Sequence, residues 1–351
     1  MVRVKTDSVI VRHYPEQHYR TMFDQMTGFS ARVEDLGFAE PFWSPHGPEL
    51  LDVAITNWCD RECSICYRRS SRIGGHVALS EYEEIMRQAC GMSVFQVALG
   101  GGNPNQHPEF CEILRLTRED YDIVPCYTTN GRGLTDEILR ASQRYCGAVA
   151  VSAYSPYDET RQAVILLTQH GIRTNVHFVL DSASIDTAIE WLETPPSFLA
   201  QVNAIVFLSY KAVGRTRDRA LLLKRSDDLP EFFEVATARR HKFGIGFDSC
   251  LVSGLVRYTD VPAVCFDRCD AGRFSMFVSE DMQMYPCSFM VEDSKGIPVE
   301  GGNMLQAWQT GEVFADIRHR LSRDRCGGCD HAHLCMGGCP IFEEINLCGH
   351  D

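Results

Sequence analysis

Apolar and polar positions alternate in short bursts through the middle of the chain, and the bursts are separated by segments of helical period. Leu51-Asp52-Val53-Ala54-Ile55 predicts a strand. Ser80 to Cys90 predicts a helix opened by a capping box of Ser80 and Glu83. Further strands are predicted at Val94–Leu99, Ile123–Thr128, Ala148–Ser152, Arg173–Leu180 and Val202–Leu208. Helices are predicted between them, at Pro108–Leu116, Thr135–Tyr145, Asp158–His170 and Ile185–Leu192. Short strands alternating with helices are repeated βα units around a parallel sheet. Six units fall short of a full eight-unit barrel. The expected fold class is therefore α/β, a partial (β/α)6 TIM-like barrel, with an open sheet as the other arrangement of the same units.

With 351 residues, 44% of them hydrophobic and 23% charged, the chain can bury a substantial core. No apolar run reaches the ~18–20 residues of a membrane span, so no membrane partner is expected. The first seven residues, Met1 to Asp7, carry no apolar signal-peptide core, and a cytoplasmic location is the expectation. The 34 basic and 47 acidic residues leave a net charge of −13, which repels phosphates and argues against a nucleic-acid partner. Sixteen cysteines change the picture most. Cytosolic thiols stay reduced, so clustered cysteines point to metal rather than to disulfides.

The cysteines fall into groups. Cys59, Cys63 and Cys66 form a C-x3-C-x2-C run directly after the first strand, at the C-terminal edge where parallel sheets place their sites. Three thiolates on one loop suit a [4Fe–4S] cube with one open iron better than a four-ligand zinc site. Cys326, Cys329, Cys335, Cys339 and Cys348 form a late group, and Cys250, Cys265, Cys269 and Cys287 lie between. Cys90, Cys111, Cys126 and Cys146 read as ordinary buried thiols.

On these residues the chain resembles the radical S-adenosylmethionine (SAM) enzymes, over roughly residues 50 to 215. The resemblance implies a cluster held by Cys59, Cys63 and Cys66, whose open iron chelates SAM. Reductive cleavage of SAM then yields a 5′-deoxyadenosyl radical that takes a hydrogen atom from the substrate. Gly100-Gly101-Gly102-Asn103 follows the second strand, where the family carries its glycine-rich motif. Its glycines let the backbone approach the methionine moiety, and Asn103 replaces the usual Glu as an uncharged acceptor for the SAM ammonium. Thr128-Thr129-Asn130-Gly131 follows the third strand. Ser152 ends the fourth, where a polar side chain usually reaches the ribose. Gly214-Arg215 resembles the family's turn after the sixth strand.

The late cysteines resemble the SPASM extension, which binds two auxiliary [4Fe–4S] clusters, three clusters in all. Carried over, Cys269, Cys287 and Cys339 hold the first with Cys265 as fourth ligand, and Cys326, Cys329, Cys335 and Cys348 hold the second. Met282 stands where the family has a turn glycine. Cys250 keeps three readings: a spare thiol, an alternative to Cys265, or a hydrogen-atom donor. His331 and His333 are read as hydrogen-bonding near the second cluster, and His107 and His177 as structural.

The resemblance implies domains at 1–48 (an N-terminal extension), 49–240 (the partial barrel) and 241–351 (the auxiliary-cluster domain). Family members mostly crosslink or dehydrogenate residues of ribosomally made peptides. The alternatives are the same chemistry on a small molecule or on a protein Ser or Cys. A non-enzymatic iron–sulfur or zinc protein is a third reading. In sulfatase-maturing relatives an Asp follows the second auxiliary cysteine as base. Here it is Ser288, a candidate whose hydroxyl is too weakly basic to replace a carboxylate alone. Only about 48 residues precede the core, with an edge hairpin expected from Val2–Val4 and Ser8–Arg12, so a separate leader-recognition protein is a possible partner. Flavodoxin or ferredoxin is the expected reductant.

Overall fold

The computed structural model describes residues 1–225, 228–265 and 267–348. Its first 34 residues form a four-stranded antiparallel sheet in the order β1 (Val2–Lys5), β2 (Val9–Tyr14), β3 (Tyr19–Asp24) and β4 (Ser30–Glu34). The expected hairpin is there, extended by two more strands. Alternate residues Ile10, Arg12, Tyr14, Tyr19, Thr21 and Phe23 are buried, the period of a sheet with one covered face. Phe23 stacks on Phe95 at 5.2 Å. The Arg12 guanidinium donates to the carbonyls of Ser93 and, at 2.9 Å, of Val94. The sheet thus sits beneath the strands that start at residues 96 and 124.

Those strands belong to one ten-stranded sheet. The six predicted parallel strands all form, as β5 (Leu50–Thr56), β6 (Gln96–Gly101), β7 (Val124–Thr129), β8 (Val149–Ser152), β9 (Thr174–Leu180) and β10 (Ala204–Ser209). Two more parallel strands flank them, β11 (Gly244–Phe247) beside β10 and β12 (Ser275–Val278) beside β5. The array therefore holds eight parallel strands, two beyond the six read from the sequence, and it runs across the expected boundary at residue 240. Four-residue strands give too short an alternation to stand out, and β12 reaches its partner only through folding. β13 (Gln283–Tyr285) and β14 (Ile297–Pro298) continue the sheet antiparallel.

Along β5, Leu51, Val53 and Ile55 point outward into the main core, with Tyr82, Ile85 and Met86 of the helix Leu79–Cys90. Truncating one such buried aliphatic chain costs about 2–5 kcal/mol. That helix begins one residue before the predicted start. Ala78 caps it and the Glu81 carboxylate accepts from the Ala78 N–H at 2.9 Å, so the pairing is Ala78 with Glu81 rather than Ser80 with Glu83. Among the isolated cysteines, Cys90 is exposed rather than buried, because it ends this helix. No helix among the described residues is long and apolar enough to cross a membrane.

Candidate active site

The C-x3-C-x2-C loop leaves β5 and is fixed by backbone hydrogen bonds before any side chain acts. Cys59 N donates to Ser71 O at 3.0 Å and Arg215 N to Cys66 O at 3.0 Å. Gly214 makes this second contact possible. Its φ is +79°, and a Cβ there would lie 2.3 Å from Cys66 O. Asn130 Nδ2 reaches Cys59 Sγ at 3.7 Å and Asp60 Oδ1 at 2.9 Å. Burial pushes the Cys63 thiol up, and Arg61 pulls the other way.

Cys59, Cys63 and Cys66 line a cavity of about 400 Å3 together with Gly100, Gly101, Gly102, Thr128, Asn130, Ser152 and His177. The predicted SAM-site residues are brought to one place, with one exception. Asn103 is buried behind the wall. Its Oδ1 accepts from Asn130 N at 3.0 Å and Thr129 Oγ1 at 3.2 Å, so the oxygen expected at the SAM ammonium is used to lock two loops together. Gly101 is required by the chain itself: its φ is +100° and a Cβ would meet Thr56 O at 2.2 Å. His177 faces the cavity from β9, with Nδ1 3.4 Å from Thr128 Oγ1, and burial pulls it down to about 4.

A second cavity, of about 990 Å3, is lined by Cys250, Cys265, Cys269, Cys287 and Cys339. Cys250 and Cys339 are hydrogen-bonded thiols, which lowers Cys339 and raises Cys250. Burial, then the neighbouring thiols Cys250 and Cys287, pushes Cys269 up. Burial likewise raises Cys287 to about 12. Cys265, the expected fourth member, is exposed, while Cys250 is half-buried and hydrogen-bonded to Cys339. Four thiols crowded out of water stay protonated unless a cation joins them, and that donor set fits an iron–sulfur cube. Cys326, Cys329, Cys335 and Cys348 lie within electrostatic reach of one another. Arg325 bridges the carbonyls of Met336, Gly337, Gly338 and Cys339 beside them. Among the described residues no three His, Cys, Asp or Glu side chains stand close enough to hold a single metal ion. Met282 adopts the glycine-like φ of +58° in the turn between β12 and β13, so the pattern holds without the glycine.

The two cavities share a wall formed by Asp52, Leu208, Lys211, Asp248, Ser288 and Phe289, of which the sequence had singled out Ser288 alone as a candidate. Lys211 is buried. Its Nζ donates to Ser209 O at 3.0 Å and to Asp248 Oδ2 at 3.3 Å, and it stands 4.3 Å from the centre of the Phe289 ring. Ser288 lies beside the Tyr67 hydroxyl, itself raised to about 12 by burial. An acid at an inward position of a strand otherwise built of Leu, Val, Ala and Ile was the available signal for Asp52.

The radical SAM superfamily model matches residues 53–181. The mycofactocin maturase MftC of Mycobacterium tuberculosis is 22% identical over 326 residues, 87% of this chain and 82% of that protein. The PqqA peptide cyclase of Streptomyces rochei is 21% identical over 83% of this chain and 84% of its own. Among solved structures, Streptococcus suis SuiB bound to the precursor peptide SuiA superposes with a TM-score of 0.73, at 14% identity, over 96% of this chain and 95% of that one. Native anSMEcpe with bound AdoMet gives 0.62 at 15% identity, over 83% and 88%. At these identities the structural likeness concerns the fold.

Proposed function

We propose, from a chain that carries a radical SAM domain over residues 53–181 and is an enzyme of that superfamily, that it oxidatively modifies a residue of a ribosomally made peptide. The oxidation is a crosslink or a dehydrogenation. The observation that supports this most is the pair of cavities meeting at one wall, three cysteines on one side and the thiols of Cys250, Cys269, Cys287 and Cys339 on the other. The names of the relatives support a peptide, since the sequence neighbours are a maturase and a peptide cyclase.

SAM with a [4Fe–4S] cluster supplies the radical that abstracts a hydrogen atom. Cys59, Cys63 and Cys66 hold that cluster, and Gly100 to Gly102 give the cosubstrate room against the backbone. Ser152 presents a hydroxyl to the same cavity. Cys250, Cys269, Cys287 and Cys339 hold one auxiliary cluster, and Cys326, Cys329, Cys335 and Cys348 another. Lys211 sets a buried positive charge in the shared wall, against Asp248.

The test is anaerobic turnover of the reconstituted enzyme with SAM, a reductant and synthetic peptides taken from short reading frames flanking the gene. The expected result is 5′-deoxyadenosine and a peptide lighter by two hydrogens. Cys59→Ala, Cys63→Ala and Cys66→Ala should each abolish 5′-deoxyadenosine, and cleavage retained in any of them would sink the core assignment. Oxidation of a small molecule with every peptide left intact would favour the dehydrogenase alternative.

A further inference from the structure

The reaction proposed above removes two electrons and two protons from its substrate, and one of those protons needs an acceptor. The position after Cys287 offers only the Ser288 hydroxyl, which is far too weak a base. The structure offers a carboxylate from another element. Asp52 lies on the inward side of β5, opposite Ala98 on one neighbouring strand and Phe277 on the other. It lines both cavities. We propose that Asp52 is the general base of the oxidation, receiving the proton that the substrate gives up after its hydrogen atom has been abstracted. The inference rests on the oxidative reading of the site.

Three observations carry it. The first is position: of the six residues in the shared wall, Asp52 and Asp248 are the two acids. Asp248 is tied down through one oxygen, its Oδ2 accepting from Ser209 N at 3.1 Å and pairing with the Lys211 ammonium, while its Oδ1 is buried without a partner. The second is that no hydrogen bond or ion pair reaches the Asp52 carboxylate among the described residues, so its lone pairs face the cavity. An unpaired acid inside a barrel is costly and adds nothing to the packing. The third is chemical match. Tyr67, Cys126 and Cys287 lie within reach of the Asp52 charge, and His177 and Lys211 face the same cavity. The Cys126 thiol is held near 12 by burial, so it stays protonated at neutral pH, and Cys287 is committed to the auxiliary cluster of the proposed function. Lys211 is a cation and His177 a weak base at about 4. Burial raises Asp52 to about 7, where a base both accepts and returns a proton at working pH.

The 5′-deoxyadenosyl radical takes one hydrogen atom, breaking a bond to hydrogen in the substrate and forming 5′-deoxyadenosine. The substrate radical then gives a proton to the Asp52 carboxylate and an electron to a one-electron acceptor, an iron–sulfur cluster by class. The protonated carboxyl returns its proton to solvent through the cavity.

The experiment compares wild type, Asp52→Asn and Asp52→Glu, each reconstituted, with the same flanking-frame peptides. Product per 5′-deoxyadenosine should fall about a hundredfold in Asp52→Asn and recover in part in Asp52→Glu, with iron content unchanged as the check on folding. Wild-type product per 5′-deoxyadenosine should rise with pH through about 7, where the carboxyl ionises, and Asp52→Asn should lack that limb. Independently of turnover, the infrared difference between wild type and Asp52→Asn should show a carboxylic acid band that disappears through the same pH range. Unchanged yield and pH limb in Asp52→Asn, or a carboxyl already ionised at about pH 5, overturns the inference and leaves the peptide reading standing. A wild type that releases 5′-deoxyadenosine but oxidises no peptide overturns that reading and the inference with it.

Discussion

Cys250 and Cys265 are chemically identical and sit on the same stretch of chain, and only burial separates them. Cys250 is half-buried against Cys339 while Cys265 faces solvent. Reconstituted Cys250→Ala should bind about four fewer irons than wild type, and Cys265→Ala should match wild type, by iron and acid-labile sulfide assay. His177 carries a second prediction. Burial drops it to about 4 from an ordinary value near 6.5, so the folded state resists the proton that the unfolded state accepts. Stability from this group is fully present above about 6.5 and is lost as pH falls toward 4. His177→Gln should therefore show a flatter fall in its denaturant midpoint over that window.

At the level of elements, the glycine positions show how far a motif can be read. Gly101 and Gly214 stand where close approach of the chain's own backbone, Thr56 and Cys66, leaves no room for a Cβ. Met282 does not follow the family residue but keeps its conformation, with Met282 N donating to Ser279 O at 3.0 Å to close the turn. A non-glycine residue in that region costs of order 1–3 kcal/mol, and its side chain here packs on the main core. A β-branched side chain tolerates the left-handed region worst. Met282→Val should lower stability by about a further 1 kcal/mol, measured by denaturant unfolding, and should loosen the approach of Cys287 to its partners.

Across the whole molecule, Arg32 ties the N-terminal sheet to the barrel. Its guanidinium stands 3.0 Å from Glu49 at the start of β5, 3.8 Å from Asp270 beside Cys269, and over the Phe274 ring at 3.6 Å. Glu49 is nearly enclosed and pushed up to about 7 by burial, with Arg32 opposing. Removing one partner of a buried pair strands the other. Arg32→Ala should cost about 3–5 kcal/mol and show as a lower unfolding midpoint, with the losses centred on the N-terminal sheet in hydrogen exchange.

The sequence by itself determined the repeating βα core, the three-cysteine loop and its glycine partner. These are local: strand alternation, helix period and spacing on one loop are set by neighbours a few residues apart. It also named the late cysteines, because their order is a one-dimensional pattern. Tertiary structure decided what depends on distant neighbours. It added β11 and β12 to the barrel, turned Asn103 away from the cavity, placed Cys250 rather than Cys265 beside Cys339, and left Asp52 alone between two cavities. Burial and the loss of hydrogen-bonding partners separate one cysteine, or one aspartate, from another, and both exist only once segments hundreds of residues apart have packed together.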